Sequence, residues 1–339
     1  MGNGHSAVGH VGVTGDALGS WSDRRVVVTG AAGLLGRAVT ACLLERGATV
    51  IGLDVAWTDA DRMAVPGLTC VHGDIRDRSL VAGILADERP DTVIHLAAQT
   101  LVGPAVEDPI DTFSNNVEGT WTLLEACRRA ETLERIVVAS SDKAYGDAGG
   151  RPYRESMALR PSHPYDASKA MADLVASAYA HTYDLPVAIT RCANLYGGGD
   201  LNWSRIVPGT IRSVIRGEDP VIRSDGTFVR DYLFVRDAAA AVLVLADAVG
   251  RRPELRGEAF NFAAGQRLTA IEMAERILRV MRSSLRPRIL ATSRNEVPVQ
   301  RVSAARARRE LGWRPQVRLT AGLVETVAWY REYFARPGT

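Results

Sequence analysis

A chain of 339 residues, 46% hydrophobic and 24% charged, has the composition of an ordinary soluble globular protein and can bury a large core or hold two lobes. Its net charge of +2 gives no reason to expect nucleic acid or an anionic membrane as partner, and no apolar run reaches the length of a membrane span. The four cysteines (Cys42, Cys70, Cys127, Cys192) are scattered without a C-x-x-C pair, and the six histidines show no metal-ligand spacing. They read as reduced core residues of a cytoplasmic protein, with no metal site and no disulfide framework.

Residues 1–22 are Gly-rich and lack a basic stretch followed by an apolar one. They read as a flexible arm attached through Trp21, not a secretory signal. A β-branched run, Val26 to Val28, then enters a turn carrying Gly30, Gly33 and Gly36, and an apolar, alanine-rich helix is predicted from Leu34 to Leu44. This is the layout of a pyrophosphate cradle. The glycines allow a tight turn, close backbone approach and close helix packing, and the helix start at Leu34 and Leu35 offers unpaired N–H groups to an anion. Glycine turns without a ligand look similar, so the second strand matters. Thr49 to Leu53 ends in Asp54, placed to accept hydrogen bonds from an adenosine ribose. The nearest Arg or Lys after it is Arg62, which favours NAD over NADP.

The alternation continues with strands at Leu68 to His72, Thr92 to Leu96, Arg135 to Ala139 and Pro186 to Arg191, and helices at Arg78 to Ala86, Asn116 to Ala130 and Tyr165 to Tyr183. Six strands with intervening helices predict an α/β fold with a doubly wound parallel sheet. Gly30, Asp54, Asp74, Ala98, Ser141 and Asn194 all fall at or just past strand ends, as one binding crevice requires. Beyond Tyr196 the texture changes to shorter elements and many arginines, with closing helices near Thr269 to Met281 and Leu319 to Tyr333. The domain reading is a dinucleotide-binding unit over 23–195 and a smaller α/β substrate lobe over 196–339, from which about 232–262 return to the first unit.

Tyr165 and Lys169 stand four apart on a predicted helix and so share a face. An ammonium there favours the phenolate, which could then serve as a base toward a substrate hydroxyl.

The chain resembles the extended short-chain dehydrogenases/reductases that modify nucleotide sugars. The resemblance runs from about Arg24 to Glu332 through TGAAGLLG, HGDIRD, IHLAAQT, NVEGT, SSDKAYG, YDASK, RCANLYGGGD, RDYLFVRDAA and LGWRP. It implies a Rossmann fold and NAD, with Asp74 and Ile75 flanking the adenine and Leu96, Ala97, Ala98, Thr100 and Asn116 along the cofactor. Ser141, Tyr165 and Lys169 become the catalytic set. Asn194, Pro208, Arg223 and Arg230 match contacts to a nucleotide diphosphate, and Arg205 and Arg301 are further candidates. The resemblance also implies a homodimer through the Asn116 and Tyr165 helices.

SSDKAYG narrows the chemistry. Simple 4-epimerases usually carry small or hydroxyl residues where this chain has Asp142 and Lys143, whereas 4,6-dehydratases carry an acid–base pair. The Asp-Lys pair, a Trp before the first strand and GGGD resemble the CDP-glucose 4,6-dehydratase branch. By analogy Asp142 is the acid for the C6 hydroxyl and Lys143 the C5 base, its pKa lowered by burial beside Lys169 and the nicotinamide. The alternative is a 4-epimerase in which the pair only shapes its loop, and a more distant one is a dinucleotide-sensing protein without activity. Ser303 and Arg236 depart from the family pattern where acidic residues are common, and Glu155 matches a frequent family Glu of structural or catalytic role.

Overall fold

The computed structural model describes residues 21–57, 66–292 and 297–336. The arm over 1–20 and Arg62 lie outside the described residues. Trp21 is buried, and its carbonyl accepts from the Arg24 N–H at 3.1 Å.

The first half of the chain alternates strands and helices. They are β1 (Arg25–Thr29), α1 (Leu34–Leu44), β2 (Thr49–Asp54), β3 (Leu68–His72), α2 (Arg78–Glu88), β4 (Thr92–His95) and the short helices α3 (Val102–Glu107) and α4 (Pro109–Phe113). A π-helical turn at Ser114–Glu118 leads into α5 (Gly119–Arg129), followed by β5 (Arg135–Ala139), α6 (Pro164–Tyr183) and β6 (Val187–Cys192). The helix predicted from Asn116 thus begins in a π turn, a local widening common at functional sites.

Successive side chains of a strand point to opposite faces, and here both faces are apolar. Val26 and Val28 pack with α1 residues Val39 and Leu43, whereas Val27 packs on the other side with Ile84, Leu85, Leu123 and Leu124 of α2 and α5. Each such fully buried aliphatic side chain contributes about 1.5–3 kcal/mol. That drives the sheet to be covered on both sides.

The second half contains β7 (Asn194–Tyr196), α7 (Ile206–Ile215), β8 (Val221–Ile222), β9 (Val229–Arg230), β10 (Tyr232–Phe234), α8 (Val235–Arg251) and β11 (Ala259–Phe262). It ends with β12 (Leu268–Thr269), α9 (Ala270–Met281), β13 (Arg288–Ile289), α10 (Ala305–Glu310) and α11 (Leu319–Phe334). The main sheet is parallel, in the order β11-β6-β5-β4-β1-β2-β3. It gains a seventh strand, β11, beside the six that the sequence predicts. Between β1 and β4 the order reverses, so the loops after these strands diverge and open a crevice at their carboxyl ends.

Hydrophobic periodicity does not single out α8, because the helix is apolar on nearly every side and buried between α1 and the sheet. A separate core of Val207, Ile211, Met273, Ile277, Leu323 and Val327 holds α7, α9 and α11 together as the smaller lobe. Among the described residues no helix is long and apolar enough to cross a membrane, and Cys42, Cys70, Cys127 and Cys192 are free thiols.

Candidate active site

A cleft of about 2230 Å³ runs along the carboxyl ends of the sheet and under the smaller lobe. At one end lies the glycine turn. Gly30 sits at φ +68°, and a Cβ there would lie 2.7 Å from the Ala97 nitrogen. A Cβ on Gly36 would lie 2.0 Å from the Gly30 carbonyl oxygen, so the helix approaches the turn only because that residue has no side chain. Gly33 is the N-cap of α1 and supplies no capping side chain, and no acid stands in the first turn. Gly33, Leu34, Leu35 and Gly36 line the cleft, so this positive helix end faces it.

At the end of β2 the Asp54 carboxylate accepts from the N–H groups of Ala32 at 2.9 Å and Ala56 at 2.8 Å. Asp74 and Ile75 line the cleft farther out. Asp74 is held by Arg76, whose guanidinium keeps its carboxyl below the usual range. An uncapped helix start, a glycine turn and a fixed ribose-side carboxylate fit a dinucleotide.

Leu96, Ala97, Ala98 and Thr100 form the adjoining wall. Asn116, expected along the cofactor, is not among the residues lining the cleft; its neighbour Asn115 is. Its side chain is buried behind the wall, where Oδ1 accepts from the Gln99 N–H at 2.7 Å and Nδ2 donates to the Gln99 carbonyl at 2.9 Å and to Ser168 Oγ at 2.8 Å. The π turn rotates Asn116 inward.

Ser141, Asp142, Lys143, Tyr165 and Lys169 all reach the cleft. Ser141 caps a 3-10 turn over Asp142–Tyr145: its hydroxyl accepts from the Lys143 N–H at 3.2 Å and donates to Asp142 Oδ1 at 3.2 Å. Tyr165 and Lys169 lie a turn apart on α6, which starts at Pro164 and packs through small residues such as Ala172 and Ala176. The expected electrostatics differ in one respect. Burial pushes Tyr165 up to about 12, and the cation that opposes this most is Arg205, helped by the Ser141 hydroxyl, not Lys169. Lys169 is itself pushed down to about 8 by burial, although Asp173 favours its charged form. Asp142 is buried with Oδ2 unpartnered, and burial raises it to about 6 against the charges of Lys143 and Arg230. Lys143 is half-buried, and its charge also bears on Asp166.

Asn194, Arg205, Pro208, Arg223 and Arg230 also line the cleft. Arg205 is paired with Asp200 at 3.0 Å and donates to Thr100 at 3.3 Å, joining the loop after β7 to the loop after β4. Arg301 does not line the cleft; its guanidinium donates to the Gly150 carbonyl at 3.3 Å, because the short bridge between Tyr153 and Val302 turns it toward that loop. Glu155 accepts from the Asn261 N–H at 2.9 Å, a structural position. Arg236 pairs with Glu325 at 2.6 Å, and the neighbouring Asp237 caps the N–H groups of Gln316 and Val317 just past LGWRP. Sequence reasoning misses Cys192 and Phe228 in the cleft lining. Asp231, next to Arg230, is a buried carboxylate raised to about 7 by burial; it does not line the cleft and accepts from the N–H groups of Ala264 at 3.2 Å and Gly265 at 2.9 Å, a structural position.

Residues 26–263 match the NAD dependent epimerase/dehydratase family. The chain belongs to this family. Its fold is the family's Rossmann fold and its cofactor is NAD. It is 35% identical over 274 residues to a dTDP-glucose 4,6-dehydratase of Actinoplanes sp., covering 80% of this chain and 82% of that one. It is 31% identical to a UDP-glucose 4-epimerase of Mycolicibacterium smegmatis, covering 91% and 98%. The crystal structure of DesIV, a dTDP-glucose 4,6-dehydratase from Streptomyces venezuelae with NAD bound, superposes with a TM-score of 0.82 at 33% identity, over 92% of this chain and 98% of that one. The chain is thus an enzyme of the epimerase/dehydratase type.

Proposed function

We propose that this enzyme is a nucleotide-sugar 4,6-dehydratase. The observation that carries the reading is the pair Asp142 and Lys143: a buried carboxyl raised to about 6 beside a half-buried amine, both lining the cleft that holds Tyr165. Gly30 to Gly36, Asp54, Asp74, Ile75 and the Leu96–Thr100 wall would hold NAD, which supplies reversible hydride transfer to the sugar when bound. Tyr165 takes the proton of the C4 hydroxyl, with Ser141 hydrogen-bonding the same oxygen and Lys169 orienting the site. Asp142 then gives its proton to the departing C6 hydroxyl, and Lys143 removes the C5 proton. An acid near pKa 6 is well matched to protonating a leaving group at neutral pH. Arg205, Arg223 and Arg230, with Asn194 and Pro208, form the nucleotide-diphosphate end, since guanidinium forks suit phosphate oxygens.

The second reading is a 4-epimerase, favoured by the Mycolicibacterium smegmatis relative; it shares every role except those of Asp142 and Lys143. Retention of Tyr165 and Lys169 argues against a sensor without activity. Incubation with a panel of NDP-hexoses in deuterated water, followed by NMR of the sugar, separates the two. A 4-keto-6-deoxy product with deuterium at C5 supports dehydration. Inversion at C4 with the C6 hydroxyl intact overturns it.

We also propose a homodimer through α5 and α6. Trp121, Met171 and Leu174 on these helices are exposed, an apolar surface that a second copy would cover. Sedimentation of the wild type and of Leu174→Glu tests it, the expected result being a dimer that the charge dissociates. The free cysteines support a reducing, cytoplasmic setting.

A further inference from the structure

Thr29, His95, Thr120, Asn116 and Ser168 are each 3% exposed or less, and they form one unbroken line of hydrogen bonds beneath the cleft. Thr29 Oγ1 lies 2.7 Å from His95 Nδ1, and His95 Nε2 lies 3.0 Å from Thr120 Oγ1. The Thr120 hydroxyl donates to the Asn116 carbonyl at 2.6 Å. Asn116 Nδ2 donates to Ser168 Oγ at 2.8 Å, and Ser168 donates to the Tyr165 carbonyl at 2.7 Å.

The directions of these bonds determine the state of the imidazole. A hydroxyl has one hydrogen. That of Thr120 lies toward the Asn116 carbonyl, because two oxygens 2.6 Å apart need a hydrogen between them. Thr120 therefore accepts from His95, and Nε2 carries the ring hydrogen. Thr29 Oγ1 already accepts from the N–H groups of Leu96 and Ala97, each at 3.2 Å, so its own hydrogen points at Nδ1. Donors and acceptors match only for the neutral Nε2–H tautomer. An imidazolium would leave the Thr29 hydrogen without an acceptor, and burial together with the charge of Lys169 opposes it, holding the ring down to about 3.

This line grips the cofactor wall at both ends. Thr29 holds the N–H groups of Leu96 and Ala97, while Asn116 holds the N–H and carbonyl of Gln99. His95 joins the two grips, and Asn116 continues to the helix bearing Tyr165. We propose that His95 is a positioning residue: as a neutral, single-tautomer strut it fixes the wall that carries the cofactor relative to the helix that carries the tyrosine. His95 does not line the cleft. The inference concerns the oxidation shared by dehydratases and epimerases, so it stands whichever product forms.

Three variants and one spectrum test it. His95→Gln offers a neutral acceptor and donor at similar spacing, His95→Leu offers neither, and Thr120→Val keeps the shape while removing the hydroxyl. We expect His95→Gln to hold kcat within about threefold, and His95→Leu and Thr120→Val to lower kcat about tenfold or more with KM little changed, since small misplacements of reacting groups cost that much. Nitrogen-15 NMR of histidine-labelled enzyme should show one ring, missing in His95→Gln, that stays in the Nε2–H form throughout about pH 5 to 8. A titrating ring, a ring with hydrogen on Nδ1, or wild-type kcat in His95→Leu overturns the proposal. Should His95→Leu fail to fold, Thr120→Val and the spectrum still decide it.

Discussion

The Asp54 carboxylate accepts the Ala32 N–H at 2.9 Å, which ties the acid ending β2 to the glycine turn that follows β1. The two parts of the proposed dinucleotide site, one for phosphate and one for ribose, are thereby tied to each other. Replacing Asp54 by Ala removes both this tie and the acceptor proposed for the ribose hydroxyls. NAD affinity should fall about tenfold or more, the scale of one lost charge-assisted hydrogen bond. The preference over NADP should narrow, because the carboxylate no longer repels a 2′-phosphate. Calorimetric titration of cofactor-free protein with both dinucleotides measures each effect.

Gly36 lies against the Gly30 carbonyl, and a Cβ there would stand 2.0 Å from that oxygen. Gly36→Ala should push helix α1 away from the turn, costing about 1–3 kcal/mol of stability as overpacking does. Thermal melts should show a lower Tm, and the same protein should bind NAD weakly. An unchanged melt and unchanged binding would contradict the packing described.

Tyr165→Phe should lower turnover by about two to four orders of magnitude, the usual worth of a positioned acid–base group. Arg205→Gln tests the electrostatics separately. Arg205 opposes the burial that pushes Tyr165 up to about 12, so its loss makes the phenolate harder to form. The acid limb of the kcat profile should therefore move to higher pH. A shift to lower pH would mean that another cation governs Tyr165.

In the proposed dehydration Asp142 must be protonated to act as an acid. Its raised pKa of about 6 means that on that reading the elimination step should weaken as pH rises above about 6, while Asp142→Asn should still oxidise the sugar and stall before losing water. Rapid-mixing absorbance of the reduced cofactor, read together with product formation, follows both steps. The same shift bears on stability. A carboxyl whose folded pKa lies above its unfolded value near 3.9 holds an extra proton only when folded, so its own contribution to stability is greatest below about pH 4 and declines as pH rises to about 6. At neutral pH Asp142→Asn should be the more stable protein, by up to about 3 kcal/mol, and its pH–Tm curve should be flatter.

Elements with a single strong period are legible in the chain. The run Val26 to Val28, the helix from Leu34 to Leu44 and the strand from Arg135 to Ala139 stand where apolar spacing and glycine place them. Helix α8 is not legible by period, because Ala, Val and Leu surround it on nearly all sides and only its burial between α1 and the sheet explains them. The family resemblance, which implied Asn116 along the cofactor and Arg301 near the diphosphate, does not fix where their side chains point: Asn116, in the π turn, bonds Gln99 behind the wall, and Arg301, beside a short strand bridge, donates to the Gly150 carbonyl.

From the residues alone follow the alternating strands and helices, the glycine turn with its partner Asp54, the position of Ser141 just past a strand end, and the sharing of one helix face by Tyr165 and Lys169. These depend on local geometry, which neighbouring residues dictate. Only the tertiary structure decides which charge acts on which group: Arg205 on Tyr165, Arg230 on Asp142, and Lys169 on the neutral His95. Such interactions depend on burial and on distances between residues far apart in the chain, and neither quantity is written in a local pattern.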